Sequence, residues 1–200
     1  MNNIEISVAE TFSDWVHNLN INDVPEEVVN KLQLIVMDSF GLMVSAKNEQ
    51  YIKSLIDALQ ENGNCELVGH NKKVNPFNAS VINGTAIHGE DFDDTFEGTP
   101  VHVGSVMVPA MLSSAQAKNL DGGNFLKGLV VGSELICRLA LVAPTAVHRQ
   151  GFHPTAIFGA FGASIGVSSL LGNTINEMSS GLGIVGSMAS GIIEYLAEGT

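Results

Sequence analysis

Two hundred residues, 45% hydrophobic and only 15% charged, suffice for a domain with a sizeable core and exclude a disordered chain. Nine Lys and Arg stand against 21 Asp and Glu, a net charge of −12. Without a basic stripe, nucleic acid is not an expected partner. The two cysteines, Cys65 and Cys137, form no CxxC, which argues against a disulfide framework and suits a reducing compartment. MNNIEISVAE has no basic segment leading into an apolar run, so no secretory signal is read and a cytoplasmic location is expected.

In chain order, Val8, Phe12, Trp15 and Leu19 recur at helical steps, predicting an amphipathic helix. Pro25 and the acids after it open a second helix, Glu26 to Ala46. Its apolar pattern predicts burial nearly all round, with Asp38 as a hydrogen-bonded core carboxylate. Tyr51 to Gln60 forms a short helix that ends at Glu61-Asn62-Gly63-Asn64. CELVGH reads as a brief strand or an irregular connection. Pro76 to His88 is helical, with Ala79, Ile82 and Ala86 on one face. Val106 to Lys118 and Asn124 to Val142 follow, separated by the turn Asn119 to Gly123. Glu134 and Arg138 have the i, i+4 spacing of an ion pair.

The last third is almost uncharged. Phe158 to Gly172 and Met178 to Ile193 place Gly159, Gly162, Gly166 and Gly183, Gly186, Ser190 at helical spacing. Glycine costs up to ~1 kcal/mol against alanine inside a helix, so its repetition predicts close approach of packed backbones. A transmembrane pair is the rival reading. The many Gly and Ser, and the lack of flanking Lys/Arg, favour buried helices of a soluble bundle and no membrane partner. The fold class is all-α, a single helical domain over 1–200.

Chemistry concentrates in His88–Ser105, HGEDFDDTFEGTPVHVGS, which sets five acids and two histidines inside an apolar chain. Charge costs free energy to bury unless paired or solvated. With Phe92 and Phe96 among the acids and valines following, the stretch predicts carboxylates held at a core edge. As an EF-hand loop it fails, having Phe96 where Gly is needed and His102 where a bidentate Glu belongs. Asp93-Asp94-Thr95-Phe96-Glu97 also resembles the aspartate-rich motif of all-α isoprenoid synthases. The second metal motif and the cations those enzymes need are missing. No metal and no cofactor are expected. Asp93 and Asp94 are read as capping or solvated residues.

A second polar island, His148–Thr155, places His153 before Pro154 at a helix start. Thr155 and the free N–H groups there make an anion site, and Arg149 could meet a carboxylate bidentately.

Together HGEDFDDTFEGTPVHVGSVMVPA, GFHPTAIFGAFGAS, GIVGSMASGIIEYLAEG and VPEEVVNKLQLIVMDSFGLMVSA resemble the successive signatures of the MmgE/PrpD family, over essentially the whole chain. That family includes 2-methylcitrate dehydratase, cis-aconitate decarboxylase and iminodisuccinate epimerase. The resemblance implies a helical domain, homodimerisation, no metal and a small di- or tricarboxylate substrate. Carried over by position, the site residues are Asp91, Thr95, His102 and His153. Val103 stands where many members have proline. The family continues past the position of Thr200 with a lysine-bearing basic segment, further helices and an α+β lid. The chain is therefore expected to be the first part of a longer protein, with little activity alone.

Dehydration, decarboxylation and epimerisation of such acids share a carbanion beside a carboxylate, which calls for a general acid–base near neutral pH. His102 is the expected proton-transfer residue, Asp91 its partner and Thr95 a substrate hydrogen-bonder. His153 and the helix end behind it would hold a carboxylate. A non-catalytic helical dimerisation scaffold is the other reading.

Overall fold

The computed structural model describes residues 6–59 and 61–194. Among them nine α-helices and one two-stranded hairpin follow in the order α1 (Val8–Asn18), α2 (Glu26–Ser45), α3 (Gln50–Asp57), β1 (Cys65–Glu66), β2 (Lys73–Val74), α4 (Pro76–His88), α5 (Gly104–Lys118), α6 (Gly122–Val142), α7 (Ala146–Arg149), α8 (Pro154–Leu170) and α9 (Ile175–Met188). The all-α reading holds, and most boundaries fall within two residues of those expected. The short α7 was not foreseen. CELVGH carries the first strand, antiparallel to the second with Cys65 opposite Val74 and Glu66 opposite Lys73. The predicted end of α3 at Gln60 lies outside the described residues.

The helices begin where the sequence supplies caps. Ser7 accepts from Glu10 N while the Glu10 carboxylate reaches back to Ser7 N, a capping box that satisfies two otherwise orphaned donors. Asn75 caps α4, and Asp121 caps α6. Asn119, at φ 59°, takes the left-handed conformation that closes α5.

The core centres on α8, which packs most extensively on α6 and also on α5 and α9. A Cβ added at Gly132 would sit 2.8 Å from the Gly162 carbonyl oxygen, and one at Gly162 would sit 2.8 Å from that of Gly132. Gly128 and Gly166 repeat the arrangement one turn along, while Met107 and Met111 of α5 close the third side. Only glycine lets the two backbones approach so closely. The first Gly-rich segment is thus the buried central helix that the spacing predicted.

Two expectations fail, and a third holds in part. α9 buries only Met178 and Leu182, leaves Ile184 and Met188 exposed, and has no atom within 4 Å of a Cβ built at Gly183. It lies along the outside of α1 and α8, so no close approach explains its glycines. α2 buries only Leu32, Ser39 and Met43, and Leu34, Met37 and Val44 are exposed. It touches α4, α5 and α6 along one side, which also leaves Asp38 exposed rather than in the core. On α1 the inward face is Ser13 and Val16, with Phe12 and Leu19 half-buried and Val8 and Trp15 exposed. By length and composition one described stretch, Glu26–Asn48, could cross a bilayer. Lys31 and Asp38 lie exposed along it, and charges at mid-bilayer are costly.

Candidate active site

Three chain segments bring histidines together. His88 is the last residue of α4. His102 lies two residues before α5, and His153 is the N-cap position of α8. The ring centroids of His88 and His102 are 4.8 Å apart, those of His88 and His153 5.6 Å.

The loop between α4 and α5 holds them in place. Asp91 turns the chain at φ 55°, a left-handed conformation that Asp tolerates better than most residues, and its N–H donates to the His88 carbonyl at 3.0 Å. Phe96 and Val101 pair through a 2.8 Å backbone hydrogen bond. Thr99, Val101 and Val103 are buried, so the loop after Thr95 is anchored in the core. Phe96 packs against the core, whereas Phe92 is 78% exposed, so only one of the two aromatics marks a core edge.

Asp93 and Asp94 diverge. Asp94 Oδ1 accepts from Gly104 N, the first residue of α5, at 2.7 Å. This is the expected capping role, placing a carboxylate at the positive end of a helix. A Cβ at residue 104 would collide with that carboxylate and with Ser39 Oγ, which gives the His-x-Gly spacing a steric reason. Burial pushes the Asp94 carboxyl up, and the Gly104 amide partly opposes it. Asp93 instead points inward, its side chain 1% exposed. His88 Nδ1 lies 3.0 and 3.1 Å from its two oxygens, and His102 Nδ1 3.3 Å from Oδ1. The capping-or-solvation reading of Asp93 is therefore overturned: a carboxylate taken out of water needs charged or hydrogen-bonding partners, and two imidazoles supply them. With one aspartate facing the histidines and the other capping α5, the pair does not converge as a diphosphate-binding motif would.

These partners set the charges. Burial alone would raise Asp93, but the hydrogen bonds and charge of His102 and His88 hold its carboxyl well below the usual range. The bond to Asp93 pushes His102 up, against burial, with Asp91 and Asp94 adding attraction. His153 moves the other way, to about 4, because it is buried and because His88 and His102 repel a second cation. Asp93 is acceptor-only, so the Nδ1 atoms of His88 and His102 are inferred to carry hydrogen. His102 then presents Nε2 outward, 3.8 Å from Asp91 Oδ1.

Of the residues singled out in the sequence, His102, His153 and Asp91 meet here. Thr155 is buried and its hydroxyl accepts from His102 N at 3.0 Å, so it fixes the loop carrying His102. Thr95 is exposed and lies on the far side of the loop. There it lines a groove of about 1020 Å³ between α2 and α6 that no histidine reaches. Arg149 is exposed on α7 and makes no ion pair with a described residue. The sequence reading had placed neither His88 nor Asp93 in the site. The available signal was a histidine ending an apolar helix five residues before an aspartate.

One ligand atom each from His88, Asp91, Asp93 and His102 falls within 4.8 Å of the others, close enough to hold a metal ion. His88 Nδ1 stands at hydrogen-bond distance from Asp93 and His102 Nδ1 makes a looser charge contact at 3.3 Å, and the arrangement is read as a proton-bearing network. His153 is tied in from behind: its N–H donates to the Gly191 carbonyl at 2.9 Å, and Ile193 N to that of Gly151 at 3.0 Å. Gly191, at φ 132°, leaves room for Ala156 that a Cβ would take.

A sequence profile of the MmgE/PrpD N-terminal domain matches residues 10–200. The chain is 30% identical to the cis-aconitate decarboxylase-like protein oryM of Aspergillus oryzae over 98% of its length and 43% of the relative's. It is 25% identical to the cis-aconitate decarboxylase of Aspergillus terreus over 96% of its length and 41% of that enzyme's. With the Mus musculus cis-aconitate decarboxylase the identity is 28%, over 97% and 41%. The chain thus spans about two-fifths of the length of these relatives. It belongs to the MmgE/PrpD family, whose N-terminal helical domain it carries.

Proposed function

We propose that this chain supplies the histidine–carboxylate part of a lyase-type site that moves a proton at a carbon beside a carboxylate, in a small di- or tricarboxylic acid. The observation that carries the proposal is the gathering of His88, His102 and His153 about the buried Asp93, where His102 is displaced upward and His153 downward. Neighbouring titratable groups driven apart in this way divide into acid and base. His102, its protonated form favoured by Asp93, is the proton donor through Nε2. His153, kept neutral, is the acceptor. In a decarboxylation the C–C bond to the departing carboxylate breaks, its electron pair spreads over the adjoining unsaturated carbons, and the His102 proton forms the new C–H bond. In a dehydration His153 takes the C–H proton and His102 protonates the leaving hydroxyl.

The relatives' names favour decarboxylation and make cis-aconitate the first substrate to test. The amino end of α8, which has no side-chain cap, supports carboxylate binding, with Arg149 as a candidate second contact. Thr95 faces the groove and is assigned no contact with the reacting carbon. Acid–base chemistry of this kind calls for no metal ion or organic cofactor, and a homodimeric, cytoplasmic enzyme is part of the proposal.

The test supplies cis-aconitate, 2-methylcitrate and an iminodisuccinate-type acid to this chain and to the longest protein its gene encodes. Loss of carbon dioxide or water and solvent-deuterium incorporation are followed. His102→Ala should lower turnover by about 10²–10⁴-fold, the usual worth of a positioned acid–base group, with an unchanged circular dichroism spectrum. Undiminished turnover in that variant would return His102 to a structural role.

A further inference from the structure

His88 reaches in two directions. Its Nδ1 contacts both oxygens of Asp93 at 3.0 and 3.1 Å, and its Nε2 lies 3.4 Å from Nε2 of His153. Asp93 accepts hydrogen bonds and donates none when ionised, so Nδ1 of His88 carries a hydrogen. Two facing imidazole nitrogens can be bridged only if one holds a hydrogen and the other a lone pair. Two hydrogens between them would repel, and none would leave two lone pairs opposed. One proton therefore fits the gap between the Nε2 atoms.

We propose that His88 is a positioning residue for the acid–base site: its Nε2 shares a single proton with Nε2 of His153, and Asp93 clamps its other edge. Either His88 is the doubly protonated ring and His153 offers its Nε2 lone pair, or His88 is neutral and His153 donates from Nε2. The place of that proton on one ring thus fixes the tautomer that the other must adopt. Since Asp93 also holds His102, the same carboxylate anchors the donor and, through His88, governs the acceptor.

Several described groups lie about this pair. Asp91 and Asp93 attract a proton on His153, while His102 repels one. Glu90, next to the loop turn, is engaged by the Tyr51 hydroxyl of α3 at 2.9 Å. Asp94 is turned away onto α5, and Arg149 of α7 is exposed. The buried Thr155 of α8 contributes a neutral hydroxyl, which accepts from the His102 amide.

The inference rests on the acid–base reading of the site, and its test is separable from activity. The full 200-residue chain is labelled with ¹⁵N and ¹³C at the histidine rings and titrated by nuclear magnetic resonance. In the native chain, neutral His88 should show hydrogen on Nδ1, and only one of the two facing Nε2 atoms should carry hydrogen. His88→Asn keeps a donor where Nδ1 stands, and so keeps the Asp93 contact, but cannot reach His153. In that variant the midpoint of His153 should move up, because the neighbour that repels its charge is gone. An unmoved His153 midpoint in a folded His88→Asn chain would overturn the proposal. So would a native His88 with hydrogen on Nε2 and none on Nδ1, an outcome that needs no variant to fold.

In a protein that turns over, His88→Asn should move the acid limb of kcat/KM to higher pH, a change that loss of packing alone does not produce. If no acid is turned over, the functional reading fails while the resonance result still decides the shared proton.

Discussion

Helices α8 and α9 each contain three glycines and three serines and no lysine or arginine, yet they occupy opposite environments. α8 threads the core, its Gly162 and Gly166 against the backbone of α6. α9 lies outside it with its glycines largely in open space. Their amino ends differ in the opposite sense. α9 is closed by a full capping box between Thr174 and Glu177. α8 begins at His153 with no side-chain cap, and that position holds a histidine of the site instead. The well-packed helix begins without a side-chain cap, and the loosely packed one has one. Packing along α8 can hold His153 in place where a cap would otherwise be needed, since most helical stability in proteins comes from tertiary contacts.

Breaking the seam should give the largest effect on stability. Gly162→Ala inserts a methyl group against the Gly132 carbonyl and should cost about 1–3 kcal/mol, as overpacking does, read as a lower midpoint in chemical denaturation. An unchanged midpoint would mean that α6 and α8 are farther apart than described.

The next test is pH. The unfolded-state value for histidine, near 6.5, lies above the folded value for His153, about 4. The unfolded chain therefore binds this proton first. Stability from a neutral His153 is fully present above the unfolded value and is lost as pH falls toward the folded one. The difference in stability between native and His153→Gln chains should shrink as pH falls from 7 to 4, by at most about 1 kcal/mol per pH unit. His102, displaced upward by Asp93, contributes in the opposite sense. Its share is present below the unfolded value and fades as pH rises through the folded one. A difference between the two chains that stays flat across the acid range would show that His153 is not held neutral.

Smaller effects sharpen the contrast at α9. Thr174→Ala removes a cap and should cost ~1 kcal/mol while leaving turnover unchanged, since it lies far along the chain from the three histidines. Gly183→Ala meets no atom within 4 Å and should be neutral or stabilising by up to ~1 kcal/mol. A clear loss of stability at Gly183 would mean that α9 is covered by something further, and the difference from α8 would narrow.

The sequence by itself determined the helices. Apolar periodicity, Pro76 and Pro154 at helix starts, and the caps Ser7, Asn75 and Asp121 act within a turn or two, so α4, α5, α6 and α8 were legible to within a few residues. The local concentration of charge likewise marked His88–Ser105 as the place of chemistry, and His102 and His153 could be named from it. What periodicity cannot state is which neighbour each face receives. Glycine at helical spacing describes α8 and α9 equally, and only the docking of α6 onto one of them separates a packed seam from an open surface. For the same reason α2 reads as a core helix, yet contacts its neighbours along one side alone. Asp93 and Asp94 are adjacent and chemically identical. The left-handed turn at Asp91, and the space that Gly104 leaves, send one to two half-buried histidines and the other to the end of α5. The partnership of His88, Asp93 and His153 spans 65 residues, and only the tertiary structure brings those atoms within reach of a shared proton.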